Sequence, residues 1–149
     1  MALIVVKFGG TSVGNIDRIK NAASKVAQEI NRGNKVAVVV SAMAGVTDQM
    51  LDYCHSASPR PNRREVDAVV STGEQVTAGL LALALEHRGM NAKSWSGWQV
   101  PIRTDSNHSI ARITDIGTKR LMKSLDKGDV AVLAGFQGIN ENDEITTLG

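Results

Sequence analysis

Ala2-Leu3-Ile4-Val5-Val6-Lys7-Phe8-Gly9-Gly10-Thr11-Ser12-Val13-Gly14 opens the chain, and its reading decides the fold. The short apolar run over residues 2–6, ended by Lys7-Phe8-Gly9-Gly10, predicts a buried strand that has Lys7 at its last position and delivers a glycine loop at its C-terminal edge. Ile16, Ile19, Ala23, Val26, Ala27 and Ile30 then recur at helical spacing. Strand, loop and helix together make an anion cradle. Gly9 and Gly10 lack Cβ atoms, so their N–H groups can approach phosphate oxygens, and the helix adds its positive N-terminal end. Lys7 would place a point charge on the same phosphates. The competing reading of this segment taken alone is a plain strand–turn–helix with a solvated lysine.

Outward from this stretch the pattern alternates. Gly33-Asn34 closes the first helix, and Lys35 to Val40 (KVAVVV) reads as a second buried strand. Ser41-Ala42-Met43-Ala44-Gly45-Val46-Thr47 is small and polar enough to line a site. A helix is expected over residues 47–55, an irregular stretch over 56–62 with Pro59 and Pro61, and helices over 63–70 and 74–88, broken at Ser71-Thr72-Gly73. Residues 92–95 read as a short strand. Residues 97–115 carry no clear periodicity. Helix returns over 118–127, and Asp129 to Ala134 (DVAVLA) is a third strand, running into Gly135-Phe136-Gln137-Gly138. Asn140 to Glu144 reads as a turn between short strands, and Ile145-Thr146-Thr147-Leu148-Gly149 follows without a closing element. Three strands therefore end in small-residue loops. In open α/β sheets ligands bind at the carboxyl ends of the strands, so the three loops are expected to converge on one crevice.

Composition narrows the function. With 149 residues the chain is one domain in size, and 42% hydrophobic with only 3% aromatic residues means a core of Val, Ile, Leu and Ala. A net charge of +2 is too small to argue for nucleic acid, and the cluster Arg60, Arg63 and Arg64, with Pro59 and Pro61 among it, reads as a solvated loop. Cys54 is the single cysteine, which excludes an intrachain disulfide and suits a reducing cytoplasm. No targeting signal is read at either end, and Leu80 to Leu85 falls far short of a membrane span. Neither G-x-x-x-x-G-K-[ST] nor G-x-G-x-x-G occurs. His55, His87 and His108 are too scattered for a metal site and read as surface or helix-end residues. Asp105, Ser106 and His108 crowd one loop without a nucleophile elbow, so a hydrolytic triad is rejected.

Four motifs in order, Lys7-Phe8-Gly9-Gly10-Thr11-Ser12-Val13, Val39-Val40-Ser41-Ala42-Met43, Ser71-Thr72-Gly73-Glu74 and Gly135-Phe136-Gln137-Gly138, resemble aspartate kinases of the amino acid kinase superfamily. The resemblance spans the whole chain. It implies an α/β three-layer sandwich with a mostly parallel sheet, and phosphorylation of the L-aspartate side-chain carboxylate by ATP with Mg²⁺, at the start of lysine, methionine and threonine synthesis. Carried over by residue, it puts Lys7, Phe8, Gly9, Gly10 and Ser41 on the nucleotide phosphates, with Lys7 catalytic. It puts Gly45, Val46, Thr47, Asp48, Gln49, Glu74, Gly135 and Gly138 around the amino acid, with Glu74 on its ammonium group. No protein ligand for the metal is implied. The chemistry is consistent: a carboxylate nucleophile with pKa near 4 needs no general base, so catalysis rests on positioning and charge neutralisation. Glu74 has a second reading as a helix N-terminal acid, and Thr47 as an N-cap.

Aspartate kinases continue past a segment like 146–149 into Arg-Gly-Gly-Ser-Asp, an adenosine pocket and regulatory domains. Residues 1–149 are thus expected to form the amino-acid-binding part of a truncated catalytic domain, inactive by itself. L-aspartate and ATP are the expected partners, and a homo-oligomer is compatible with the resemblance. The alternatives are a non-catalytic amino-acid-binding or interaction module of that fold, and a kinase for another carboxylate or carbamate.

Overall fold

Strands β1 (Leu3–Phe8), β2 (Lys35–Val40), β3 (Ala92–Trp95) and β6 (Val130–Ala134) form a parallel sheet in the order β1-β2-β6-β3, in a computed structural model that describes residues Met1–Gly149. Register pairs Phe8 with Val40 and Val40 with Ala134, so three strand ends lie side by side. Helices α1 (Ile16–Asn31) and α4 (Thr72–His87) cover one face, and α5 (Lys119–Asp126) covers the other. Helices α2 (Val46–Ala57) and α3 (Arg63–Val70) complete the frame. This is the three-layer α/β arrangement with a parallel sheet.

The layers follow from strand composition. Every residue of β6 is buried, because it is a central strand with helices on both faces. Val36, Val38, Val40, Val130 and Val132 pack with Ile19, Val26, Leu81 and Leu85 of α1 and α4. On the opposite face Ala37, Ala131 and Leu133 meet Leu121 and Leu125 of α5. Each such Val or Leu contributes about 1.5–3 kcal/mol on burial. Asn15 and Asn62 cap α1 and α3, their side chains accepting from Arg18 N at 2.9 Å and Arg64 N at 3.0 Å.

Several expectations need correction. The opening strand runs one residue past Lys7, to Phe8, and it is buried on one face only. It is an edge strand: Ile4, Val6 and Phe8 face the core, whereas Leu3 is 44% and Val5 67% exposed, because no helix covers that side. The stretch that begins at residue 97 holds β4 (Ile102–Thr104) and β5 (Ile113–Ile116), a bulged hairpin whose irregular register hides its alternation. The segment after Glu144 is not open-ended. Strands β7 (Gln137–Ile139) and β8 (Ile145–Thr147) form a hairpin around the turn expected over 140–144, and it joins β4 and β5 in a second sheet in the order β5-β4-β7-β8.

Ser71-Thr72-Gly73 is also less of a break than expected. Only Ser71 stands between α3 and α4, and it keeps helical dihedrals (φ −63°, ψ −20°). By length and composition the run Arg63–His87 is apolar enough to cross a membrane, although Leu80 to Leu85 alone is not. Here Ala78, Leu81, Ala82 and Leu85 are core residues packed on the sheet.

Candidate functional site

The carboxyl ends of β1, β2 and β6 open into a crevice of about 620 Å³. Each wall comes from one strand-end loop. Lys7 and Gly10 belong to the first, Ser41, Ala42 and Gly45 to the second, and Gly135 and Phe136 to the third. Parallel register aligns the strand ends, so convergence of the three loops follows from the pairing itself. Thr47 and Asp48 on α2, Glu74 on α4, and Leu148 and Gly149 after β8 complete the lining.

Glycine supplies the close approaches. A Cβ on Gly10 would stand 3.3 Å from Ala42 O, and one on Gly135 would stand 2.9 Å from Val40 O. A Cβ on Gly73 would meet that of Ala42 at 2.8 Å. Gly73 therefore lets α4 touch the second loop instead of ending a helix. Gly45, at φ +80°, is the N-cap of α2, so Thr47 is not the cap but a first-turn residue on the crevice wall. Phe136 holds φ +65°, a left-handed conformation rare for a non-glycine residue, and is 38% exposed at the crevice.

Glu74 is the unusual charge. Its side chain lies in the first turn of α4 and is only 3% exposed. Oε1 accepts from the Ala42 N–H at 3.0 Å, while Oε2 is buried without a partner. Burial pushes the carboxyl above the ordinary glutamate value, against the lowering effect of the Ala42 N–H. A solvated helix-end acid would not show this. Leaving one oxygen of a buried carboxylate unpaired costs about 1–3 kcal/mol or more. Lys7, which lines the same crevice, is exposed and engaged in no salt bridge.

Not every residue expected at the site reaches it. The Phe8 side chain is core, 8% exposed, leaving only its backbone near the loop. Gly9 lies just outside the lining residues, with open space where a Cβ would stand. Ser41 spends its N–H on Phe8 O at 3.1 Å, which leaves its hydroxyl for the crevice. Val46 leans toward Gly73, and Gln49 is exposed and donates to Tyr53 Oη at 2.9 Å. Gly138 is packed against β4, where a Cβ would stand 2.7 Å from Ile102 O. Conversely, Phe136, Leu148 and Gly149 line the crevice, although sequence reasoning gave them no role. Only the small-residue motif around Phe136 carried a signal.

Buried polar clasps hold the walls. Gln137, fully buried, donates Nε2 to Ser71 O at 2.7 Å and accepts from Gly97 N at 3.0 Å, tying the α3–α4 junction to β7. His108 is not the surface residue expected; its Nδ1 lies 2.9 Å from Asp67 Oδ2 and its Nε2 3.8 Å from Glu144. His55 and His87 are exposed, near or at helix ends. No three His, Cys, Asp or Glu side chains gather into a metal-ligating group.

Residues 2–149 match the amino acid kinase family. The chain belongs to that family. Within it, this member of the amino acid kinases is 50% identical to aspartokinase 2 of Bacillus subtilis strain 168 over 149 residues, all of this chain and 36% of the relative. It is 52% identical to an aspartate kinase of Stutzerimonas stutzeri strain A1501, again over 36% of that protein. The chain thus spans little more than a third of the length of these relatives. Among solved structures, an aspartate kinase from Synechocystis superposes with TM-score 0.80 at 43% identity, over 99% of this chain and 24% of that one. E. coli aspartokinase III in complex with aspartate and ADP gives 0.83 at 22% identity, over 100% of this chain and 44% of that one, a likeness of fold.

Proposed function

We propose that residues 1–149 are the amino-acid-binding part of an aspartate kinase, and that the longer protein transfers a phosphoryl group from ATP to the β-carboxylate of L-aspartate. The observation that carries this reading is Glu74 Oε2, buried at the crevice and unpartnered. A free carboxylate oxygen in a low-dielectric wall suits a substrate cation, and the ammonium of an amino acid supplies one with hydrogen-bond donors. The resemblance to aspartokinases at about 50% identity supports the choice of amino acid.

The residues present also fit nucleotide phosphates. Lys7 brings an ammonium free of ion pairs, Gly10 brings backbone without a side chain to the lining, and the adjoining Gly9 leaves open space beside it. Bound ATP with Mg²⁺ supplies the phosphoryl group. Lys7 would neutralise charge that redistributes over the phosphate oxygens, and the Ser41 hydroxyl would donate to them. Glu74 would fix the ammonium while Thr47 orients the far end, which holds the β-carboxylate toward Lys7. Because that carboxylate is ionised at neutral pH, no residue need remove a proton. Positioning and charge neutralisation then account for the chain's part in the reaction.

The test is an isothermal or NMR titration of the chain with L-aspartate and with succinate, which lacks the ammonium. Selective binding of L-aspartate is expected, and equal response to both would overturn the assignment of Glu74. Hydroxamate trapping of acyl phosphate, on a protein of aspartokinase length carrying this sequence, tests the transfer. A second reading, a non-catalytic amino-acid-binding module, is kept because the chain spans only about a third of its relatives. It predicts aspartate binding without trapped product. L-aspartate and ATP are the proposed partners; location in the cytoplasm is proposed with them, from the resemblance and the lone Cys54.

A further inference from the structure

Asp67 lies on α3, away from the crevice, with no exposed surface. Five donors converge on its carboxylate. Oδ2 accepts from His108 Nδ1 at 2.9 Å, Ser109 N at 3.0 Å and Thr147 N at 3.0 Å. Oδ1 accepts from Thr147 Oγ1 at 2.6 Å and Ser109 Oγ at 3.2 Å. Buried carboxylates persist where their lone pairs are filled, and this one uses all it has. Ser109 holds φ +69°, which turns its N–H and hydroxyl toward the same carboxylate.

The donors come from two segments distant in sequence, the 105–110 loop and β8. Thr147 leads directly into Leu148 and Gly149 on the crevice wall. Thr147 O accepts from Ala111 N at 3.0 Å, Gly149 N donates to Ala111 O at 3.1 Å, and Leu148 N donates to Phe136 O at 3.0 Å. One wall, comprising Phe136, Leu148 and Gly149, is therefore suspended from a carboxylate that does not touch the crevice. Glu74, which lines the same crevice, sits seven residues after Asp67 on a nearly continuous helix, about two turns along. A single rod thus carries both the anchor for the Leu148–Gly149 segment and a carboxylate of the same crevice.

We propose that Asp67 is a positioning residue of the amino-acid pocket: through Thr147 it sets the gap between Glu74 and the Leu148–Gly149 wall, and with it the affinity for a small amino dicarboxylate. This rests on the reading of the crevice as an amino-acid pocket. Thr147→Val keeps the shape and the backbone bond but removes the 2.6 Å hydroxyl donor. The expected result is a folded chain whose L-aspartate Kd rises about tenfold, the size of one hydrogen bond to a charged group. Faster hydrogen exchange is expected at the Leu148 and Gly149 amides. Thr147→Ser, which restores the hydroxyl, is expected to recover both. Should Thr147→Val fail to fold, Ser109→Ala removes the longer hydroxyl bond and is expected to move the same two readouts less far. A folded Thr147→Val chain with wild-type Kd and wild-type exchange, beside a Glu74→Gln chain that has lost binding, overturns the inference alone. Weaker binding that follows only a lowered melting temperature, with the two amides unchanged, also overturns it. A wild-type chain that ignores L-aspartate overturns the pocket reading and this inference together.

Discussion

Replacing Glu74 with glutamine is expected to stabilise the chain while weakening its hold on aspartate. Oε1 keeps its bond from Ala42 N, since the amide oxygen accepts equally well. What disappears is a buried negative charge with one empty oxygen. An unpaired amide nitrogen is cheaper to bury than an ionised oxygen, so a gain of about 1 kcal/mol is expected, which for this length raises Tm by about 2–4 °C. The sign with pH follows from the raised native pKa. Below the ordinary value of 4.5 both native and unfolded carboxyls are protonated and the variant has no charge-related advantage. As pH rises through the window between the unfolded value and the raised native one, the unfolded state loses its proton first, and wild-type stability falls relative to the variant. Above the native value the difference is complete. Binding moves the opposite way: losing a charge-assisted contact to an ammonium, worth about 1.5–3 kcal/mol, raises the L-aspartate Kd about 10- to 150-fold. Wild-type affinity should begin to fall on acidification at a pH above the ordinary glutamate range, and the variant should show no step there. Calorimetry at pH 7 and pH 4 with parallel aspartate titrations checks all of this. A variant that melts lower than wild type and binds aspartate equally well would mean that Glu74 serves the helix N-terminus and nothing else.

In a protein of aspartokinase length carrying this sequence, Lys7→Ala should cost phosphoryl transfer about 3–4 kcal/mol while leaving the aspartate Kd within a few-fold, read by steady-state hydroxamate kinetics against direct titration. Activity within a few-fold of wild type would refute the placement of Lys7. Two glycine substitutions should move stability in opposite directions. Gly79→Ala on α4, where a Cβ meets nothing within 4 Å, should add about 0.5–1 kcal/mol. Gly138→Ala, whose Cβ would stand 2.7 Å from Ile102 O, should remove about 1–3 kcal/mol, both read from denaturation midpoints.

Three strands of the main sheet, β1, β2 and β6, were legible because they are largely apolar runs that no helix pattern imitates. KVAVVV and DVAVLA sit in the centre, where burial on both faces removes any need for alternation. The same rule misled at the N-terminus. Leu3 and Val5 are as apolar as Val36 and Val38, yet edge position leaves them in water, and no local pattern encodes which strand will be the edge. In the second sheet the 140–144 turn between short strands was legible, but β4 and β5 were not, because they are three and four residues long and their pairing is bulged. At the site, glycines and Glu74 stood out through spacing. Asp67, Thr147 and Gln137 did not, since partners 80, 80 and 66 positions away cannot be read from either end alone.

The contact between Gly73 and Ala42 ties two sequence positions into one volume. With hypothetical and real Cβ atoms 2.8 Å apart, only one of the two sites can carry a methyl group without moving the loop. Gly73→Ala alone should therefore be damaging, and Ala42→Gly alone mildly so, yet the exchange of both should cost less than their sum. Natural variation at either position is then conditional on the other: drift can pass between the two solutions only through a crowded or a hollow intermediate. A double-mutant cycle measures that coupling. The same contact is why a small residue must face the Ser41–Gly45 loop from the helix that bears Glu74.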